Sequence, residues 1–139
     1  VSNFYTYNNW SCPYGLFCVM PVFRSTTQTM IHKFSRNGLD LKYQNTAIVP
    51  GSLLTQYSMD EDSDGNFRIL TKVWEKRLST QFYVFKPDLT LAGKLENIEP
   101  GEEFKASRYI GDKLYLITFE QIDPLFVVDL ANISQPKII

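Results

Sequence analysis

Short apolar runs recur along the chain, each closed off by turn residues. Thr29 to Phe34, Phe67 to Val73, Gln81 to Phe85, Lys113 to Phe119 and Leu125 to Leu130 are the clearest. Between and beside them stand Asn37-Gly38, Pro50-Gly51, Asp64-Gly65, Lys86-Pro87-Asp88, Pro100-Gly101, Gly111-Asp112 and Asp123-Pro124. Runs of this length, rich in β-branched and aromatic residues and punctuated by Gly, Pro, Asn and Asp, predict strands. The charged stretch from Trp74 to Thr80 is too short for an amphipathic helix. The pattern predicts an all-β protein of antiparallel sheets.

The phrases also repeat. Ile31-His32-Lys33-Phe34 resembles Phe82-Tyr83-Val84-Phe85 and Phe126-Val127-Val128-Asp129. Val49-Pro50-Gly51-Ser52 returns as Glu99-Pro100-Gly101-Glu102, and Phe67 to Thr71 returns as Leu114 to Thr118. Asn3 to Tyr7 followed by Trp10 echoes Phe67 to Trp74. A period of about 43 to 51 residues holding four short strands is that of a propeller blade. The chain divides on this reading into a lone strand at 3–10 and a Cys-containing insertion at 11–26. Blade-length repeats at 27–80 and 81–124 follow, then the opening strand of a third at 125–139. About two and a half blades do not close a propeller, which needs at least about four. Open strand edges and bare blade faces invite pairing with other copies or with the rest of a larger propeller. A two-sheet sandwich or small barrel is the competing architecture.

Composition narrows the function classes. Aromatics at 14% favour strands over helices. A formal net charge of −1 without any Lys/Arg block argues against nucleic-acid binding. No run of eighteen apolar residues spans a membrane as a helix. The start at Val1 and the apolar end Pro136-Lys137-Ile138-Ile139 suggest a processed chain, a piece of a longer one, or an end that docks elsewhere. Cys12 and Cys18 flank a Pro13-Tyr14-Gly15 turn and are expected to form a local disulfide; two buried free thiols are the alternative. Asn9-Trp10-Ser11 and Asn132-Ile133-Ser134 are glycosylation acceptors. Together these features point to an extracellular or cell-surface setting.

The segment GEEFKASRYIGDKLYLITFEQIDPLFVVDLANISQPK, from Gly101 to Lys137, resembles the signature of the secreted β-propeller domain family of archaea and bacteria. The resemblance extends upstream through Thr29 to Phe34, Val49 to Gly51, Tyr57 to Glu61, Phe67 to Thr71 and Tyr5 to Trp10. It implies a propeller fold outside the cytoplasm and supplies no activity, substrate or catalytic set. The family's domain is several times longer, and the Cys12 to Cys18 insertion departs from its pattern.

Candidate chemistry is sparse. Asp60, Asp62 and Asp64 before Gly65 have the Asp-x-Asp-x-Asp-Gly spacing of a calcium loop's first half, although Arg68 and Thr71 stand where the ninth and twelfth ligands belong. A solvated acidic hairpin turn is the plainer reading. No other cofactor is expected. Arg108 and Asp123-Pro124 lie in the signature segment, and Arg108 is expected to hold carboxylates such as Asp60 or Glu61. His32, the only histidine, alternates with Met30 and Phe34 and is expected to be packed and hydrogen-bonded rather than catalytic. Phe4, Tyr5, Tyr7, Trp10, Tyr14 and Phe17 could dock a sugar or a neighbouring subunit, or fill a core. The sequence thus predicts a non-enzymatic extracellular scaffold or binding module with protein or glycan partners. The alternatives are a subunit that assembles through open strand edges into an oligomer or filament, and a hydrolase-like enzyme.

Overall fold

The computed structural model describes residues 2–5, 25–74, 76–102, 104–118 and 125–139, with side chains placed from residue 27 onward. Three antiparallel sheets follow one another along the chain. Sheet I holds β1 (Ser2–Tyr5), β2 (Ser25–Asn37) and β3 (Asp40–Pro50). Sheet II holds β4 (Met59–Glu61), β5 (Phe67–Trp74), β6 (Leu78–Phe85) and β7 (Leu91–Ile98). Sheet III holds β8 (Phe104–Ile110), β9 (Lys113–Thr118), β10 (Leu125–Asp129) and β11 (Lys137–Ile138). Strands are hydrogen-bonded in chain order within each sheet, so every sheet is a simple meander. Among the described residues the non-strand element is one short turn of 3-10 helix, Gln56–Ser58, capped by Thr55.

Two apolar clusters glue the sheets face to face. Between sheets I and II lie Ala47, Val49, Ile69, Tyr83, Phe85 and Leu89. Between sheets II and III lie Leu70, Phe82, Val84, Ile98, Phe104, Leu114, Leu116, Val128 and Leu130. Sheet II is therefore covered on both sides. Its β6 is buried from Ser79 to Phe85 without alternation, as expected for a strand with no solvent face. Main-chain ties reinforce the stack. Ser52 and Lys72 form a two-way backbone bridge between the end of sheet I and β5. Thr71 donates its hydroxyl to the Pro50 carbonyl at 2.7 Å. Gly51 sits at φ +90 where a Cβ would strike the Lys72 carbonyl, which explains the glycine in this Val-Pro-Gly turn.

The all-β reading and its blade-like repeats hold, with a different phase. The repeated phrases fall on equivalent strands: β1, β5 and β9 are second strands, and β2, β6 and β10 are third strands. The boundary at 80/81 falls inside β6, and the segment from 125 onward pairs back onto β9, completing sheet III rather than opening a new one. Repeat similarity is circular, so it fixes the period without saying which strand comes first. Matching by face also moves one phrase by a residue. Ile69 opposite Tyr83 corresponds to Leu116 opposite Phe126, because both pairs face the preceding sheet. Sheet I lacks a first strand among the described residues, which amount to two complete blades and most of a third.

Candidate binding face

In a four-stranded meander the first-to-second and third-to-fourth connections emerge at the same end. That end gathers the loop between β4 and β5, the β6–β7 turn, the β8–β9 turn, the β10–β11 turn and the β2–β3 hairpin. Close contacts bear this out. Lys33 donates to the Pro87 carbonyl at 2.6 Å, and Asn45 to the Asp88 carbonyl at 2.7 Å. Arg68 donates to the Gly111 carbonyl at 2.9 Å across the sheet II–III boundary.

The acidic loop lies at the centre of this rim and is organised around Asp62. One carboxylate oxygen, Oδ1, accepts from the backbone N–H groups of Asp64 (3.0 Å) and Asn66 (2.9 Å) and from the Asn66 amide. The other, Oδ2, accepts from Asn66 at 3.0 Å and from Arg68 at 2.9 Å. Asp60 stands 3.6 Å from the same guanidinium. Arg68 is 3% exposed, so this is a buried charge matched by two carboxylates and a carbonyl. Burial alone would raise the Asp62 carboxyl, but the hydrogen bonds from Asn66 and Arg68 outweigh it and hold the group below its ordinary value.

Around the loop opens a shallow cleft of about 330 Å³, lined by Asp60, Glu61, Asp62, Asp64, Tyr109 and Asp112 among others. Burial and the nearby Asp60 charge push the Tyr109 hydroxyl far up, so it stays a neutral donor and bonds the Ser58 carbonyl at 3.3 Å. The three candidate calcium ligands do not converge. Asp62 turns inward to Arg68, Asp64 contributes a backbone N–H, and no group of three or more His, Cys, Asp or Glu among the described residues is placed to hold a metal. Arg68 supplies the positive charge that the motif's spacing suggested for a cation.

Of the other sequence candidates, Arg108 and the packing of His32 differ from expectation. Arg108 is exposed on β8, and Asp60, one of the carboxylates expected beside it, stands 3.6 Å from Arg68 instead. Alternation already places Arg68 on one face with Leu70, six residues after Asp62, and that was the available signal. His32 is exposed rather than packed. Its Nδ1 lies 2.7 Å from the Thr46 hydroxyl, which also meets the Tyr43 hydroxyl at 2.9 Å. Met30, His32 and Phe34 share the face of sheet I that points away from sheet II. Asn132 is exposed in the β10–β11 turn, its Oδ1 accepting from Ser134 N–H. Asn9, Cys12, Cys18, Asp123 and Pro124, with most of the N-terminal aromatic cluster, lie outside the described residues.

The most apolar part of the rim is the β2–β3 hairpin. Its strands run 13 and 11 residues, against 8 or fewer elsewhere, so the tip extends past the neighbouring turns. A register shift after Lys33 redirects the tip. There Phe34 and Tyr43 pack edge to face at 5.7 Å, and Leu39 (98% exposed) and Leu41 face solvent.

Four-stranded meanders stacked face to face, with loops gathered on one rim, define a protein of the β-propeller class. The chain belongs to the β-propeller domain family, whose model matches residues 18–139. It is 36% identical over 115 residues to an uncharacterised protein of Methanocaldococcus jannaschii, covering 80% of this chain and 18% of that protein. It is 38% identical over 117 residues to an uncharacterised protein of Archaeoglobus fulgidus, covering 84% of this chain and 18% of that protein. The chain thus spans under a fifth of the length of these relatives. No solved structure matches it.

Proposed function

We propose that this chain is an extracellular, non-enzymatic β-propeller module that serves as a scaffold or binding platform for protein or glycan partners. The observation that carries the reading is the β2–β3 hairpin. A long arm with Leu39 and Leu41 in solvent costs solubility unless it meets a partner. The polar groups of the rim support binding over catalysis. The Asp62 carboxylate is engaged by Asn66 and Arg68, and its lowered pKa makes it a poor proton carrier at neutral pH. The extracellular setting rests on Cys12 and Cys18, expected as a disulfide, and on Asn9 and Asn132 as glycan acceptors. Exposure of Asn132 in its turn is compatible with that modification.

Brief protease treatment of intact cells of the source organism tests the setting. Release of peptides from this chain, with Cys12 joined to Cys18 by mass spectrometry, is the expected result. Peptides appearing only after lysis, with both thiols free, would refute it. For the platform, purified chain is sedimented with isolated cell envelopes. Leu39→Ser/Leu41→Ser should reduce retention several-fold at unchanged thermal stability, whereas His32→Ala should not.

A further inference from the structure

The tip of the β2–β3 hairpin is bare on both of its faces. Every residue from 34 to 45 is exposed. Phe34, Arg36, Leu41 and Tyr43 share the face that points away from sheet II, and Ser35 and Lys42 share the other. Sheet II is in place and still leaves its side of the tip uncovered. A further blade packed on the opposite side of sheet I at the same spacing would clear the tip in the same way. A partner of the tip therefore approaches the rim end-on.

The chemistry of the tip is layered along its length. The turn leads with Leu39, and Leu41 and Arg36 pair one step behind Asn37 and Asp40. Lys42 comes next, opposite Ser35, and then the edge-to-face pair Phe34 and Tyr43. At about 3.4 Å per residue, the aromatic pair lies roughly 10 Å behind the rung of Asn37 and Asp40. Interfacial segments bury their apolar groups about 5–10 Å into the boundary between headgroups and acyl chains. That depth takes in Leu39 and Leu41 and holds Arg36 and Lys42 among the phosphates. It leaves the two aromatics at headgroup level, where amphipathic rings collect. Charge agrees with this layering. Lys33, Arg36 and Lys42 stand against one acid, Asp40, along the hairpin, in a chain of formal net charge −1. A convex apolar tip needs a matching pocket in a protein partner, whereas a fluid lipid surface moulds itself around it. We infer that this hairpin dips its tip into a membrane surface rich in anionic lipid, Leu39 and Leu41 entering the acyl boundary and Arg36 and Lys42 meeting phosphates. The inference rests on the platform reading, in which the hairpin is the contact arm, and names what the arm contacts.

The test is flotation of the whole protein with mixed phosphatidylcholine and phosphatidylglycerol vesicles, set against phosphatidylcholine alone. Binding like that of a single acyl anchor, half-complete near about 0.1 mM lipid, is expected on the mixed vesicles only. Leu39→Ser/Leu41→Ser should weaken it at least about 30-fold. Arg36→Gln/Lys42→Gln should weaken it about tenfold or more, and Asp40→Asn should tighten it about fivefold, a gain that a merely damaged hairpin does not give. The thermal midpoint should be retained throughout. No flotation with the mixed vesicles, equal flotation with phosphatidylcholine alone, or indifference to the leucine pair or to Asp40→Asn would overturn the inference. Isolated envelopes stripped of surface protein by protease separate it from the platform reading. Retention on intact but not on stripped envelopes would overturn the lipid assignment and leave the platform standing, whereas no retention on either would sink both.

Discussion

Replacing Arg68 by Met removes the buried cation that faces Asp60 and Asp62 and keeps most of the side-chain volume. The substitution strands three acceptors. Asp62 loses its 2.9 Å partner, Asp60 loses a charge at 3.6 Å, and the Gly111 carbonyl loses its bond from the neighbouring sheet. Breaking a buried pair by removing one partner costs about 3–5 kcal/mol. Asp62 keeps its bonds to Asn66 and to two backbone N–H groups, which places the expected cost at the lower end, about 3 kcal/mol. At about 3–4 °C per kcal/mol for a chain of this size, the midpoint should fall by roughly 10 °C. The loss should also depend on pH. The folded-state pKa of Asp62 is depressed, so its contribution is fully present above the unfolded value of about 3.9 and is lost as pH falls through the lower folded value. Part of that depression comes from Arg68, so the gap between wild type and Arg68→Met should be widest at pH 7 and narrow towards pH 2–3. Urea unfolding of both proteins across this range measures it. A cost below about 0.5 kcal/mol at pH 7, within the range of an ordinary surface change, would refute the buried-pair argument, as would a gap that does not narrow in acid.

Two other predictions concern packing and metal. Gly93 in β7 is crossed by the β10–β11 turn so closely that an added Cβ would collide with the Ile133 carbonyl and press on Pro136. Gly93→Ala should therefore destabilise by about 1–3 kcal/mol in thermal melts, and unchanged stability would mean that the turn does not rest there. Calcium or a chelator should leave the melting temperature unchanged, because Arg68 already supplies the charge facing Asp60 and Asp62. A calcium-dependent rise would restore the metal reading of the loop.

Much of the architecture was legible in the order of apolar runs and turn residues. The period came through because Val49-Pro50-Gly51 and Pro100-Gly101 end equivalent fourth strands, and Phe67 to Thr71 and Leu114 to Thr118 make equivalent second strands. Facing was harder. In Phe82-Tyr83-Val84-Phe85 every residue is buried, so alternation carries no information about which side meets which sheet. A one-residue slip in comparing such runs exchanges the two faces, as happened with Phe126 to Asp129. His32 and Phe34 alternate as core residues do, yet they point outward because no sheet among the described residues lies beyond them. The acidic motif is ambiguous for a local reason. Carboxylate spacing suited to a cation also suits a side-chain-capped turn, and the deciding partner, Arg68, sits in the following strand.

The double coverage of sheet II governs how the molecule comes apart. Peeling sheet I away uncovers only the cluster around Val49 and Tyr83, and peeling sheet III away uncovers only the cluster around Phe82 and Leu116. Opening sheet II exposes both at once. Its amides should therefore be the last to exchange with solvent, with the outer sheets yielding first, in the manner of a stacked repeat array. The strands that carry the exposed hairpin and the exposed Asn132 turn belong to the outer, softer layers. The chain can thus adjust its contact surfaces without loosening its centre.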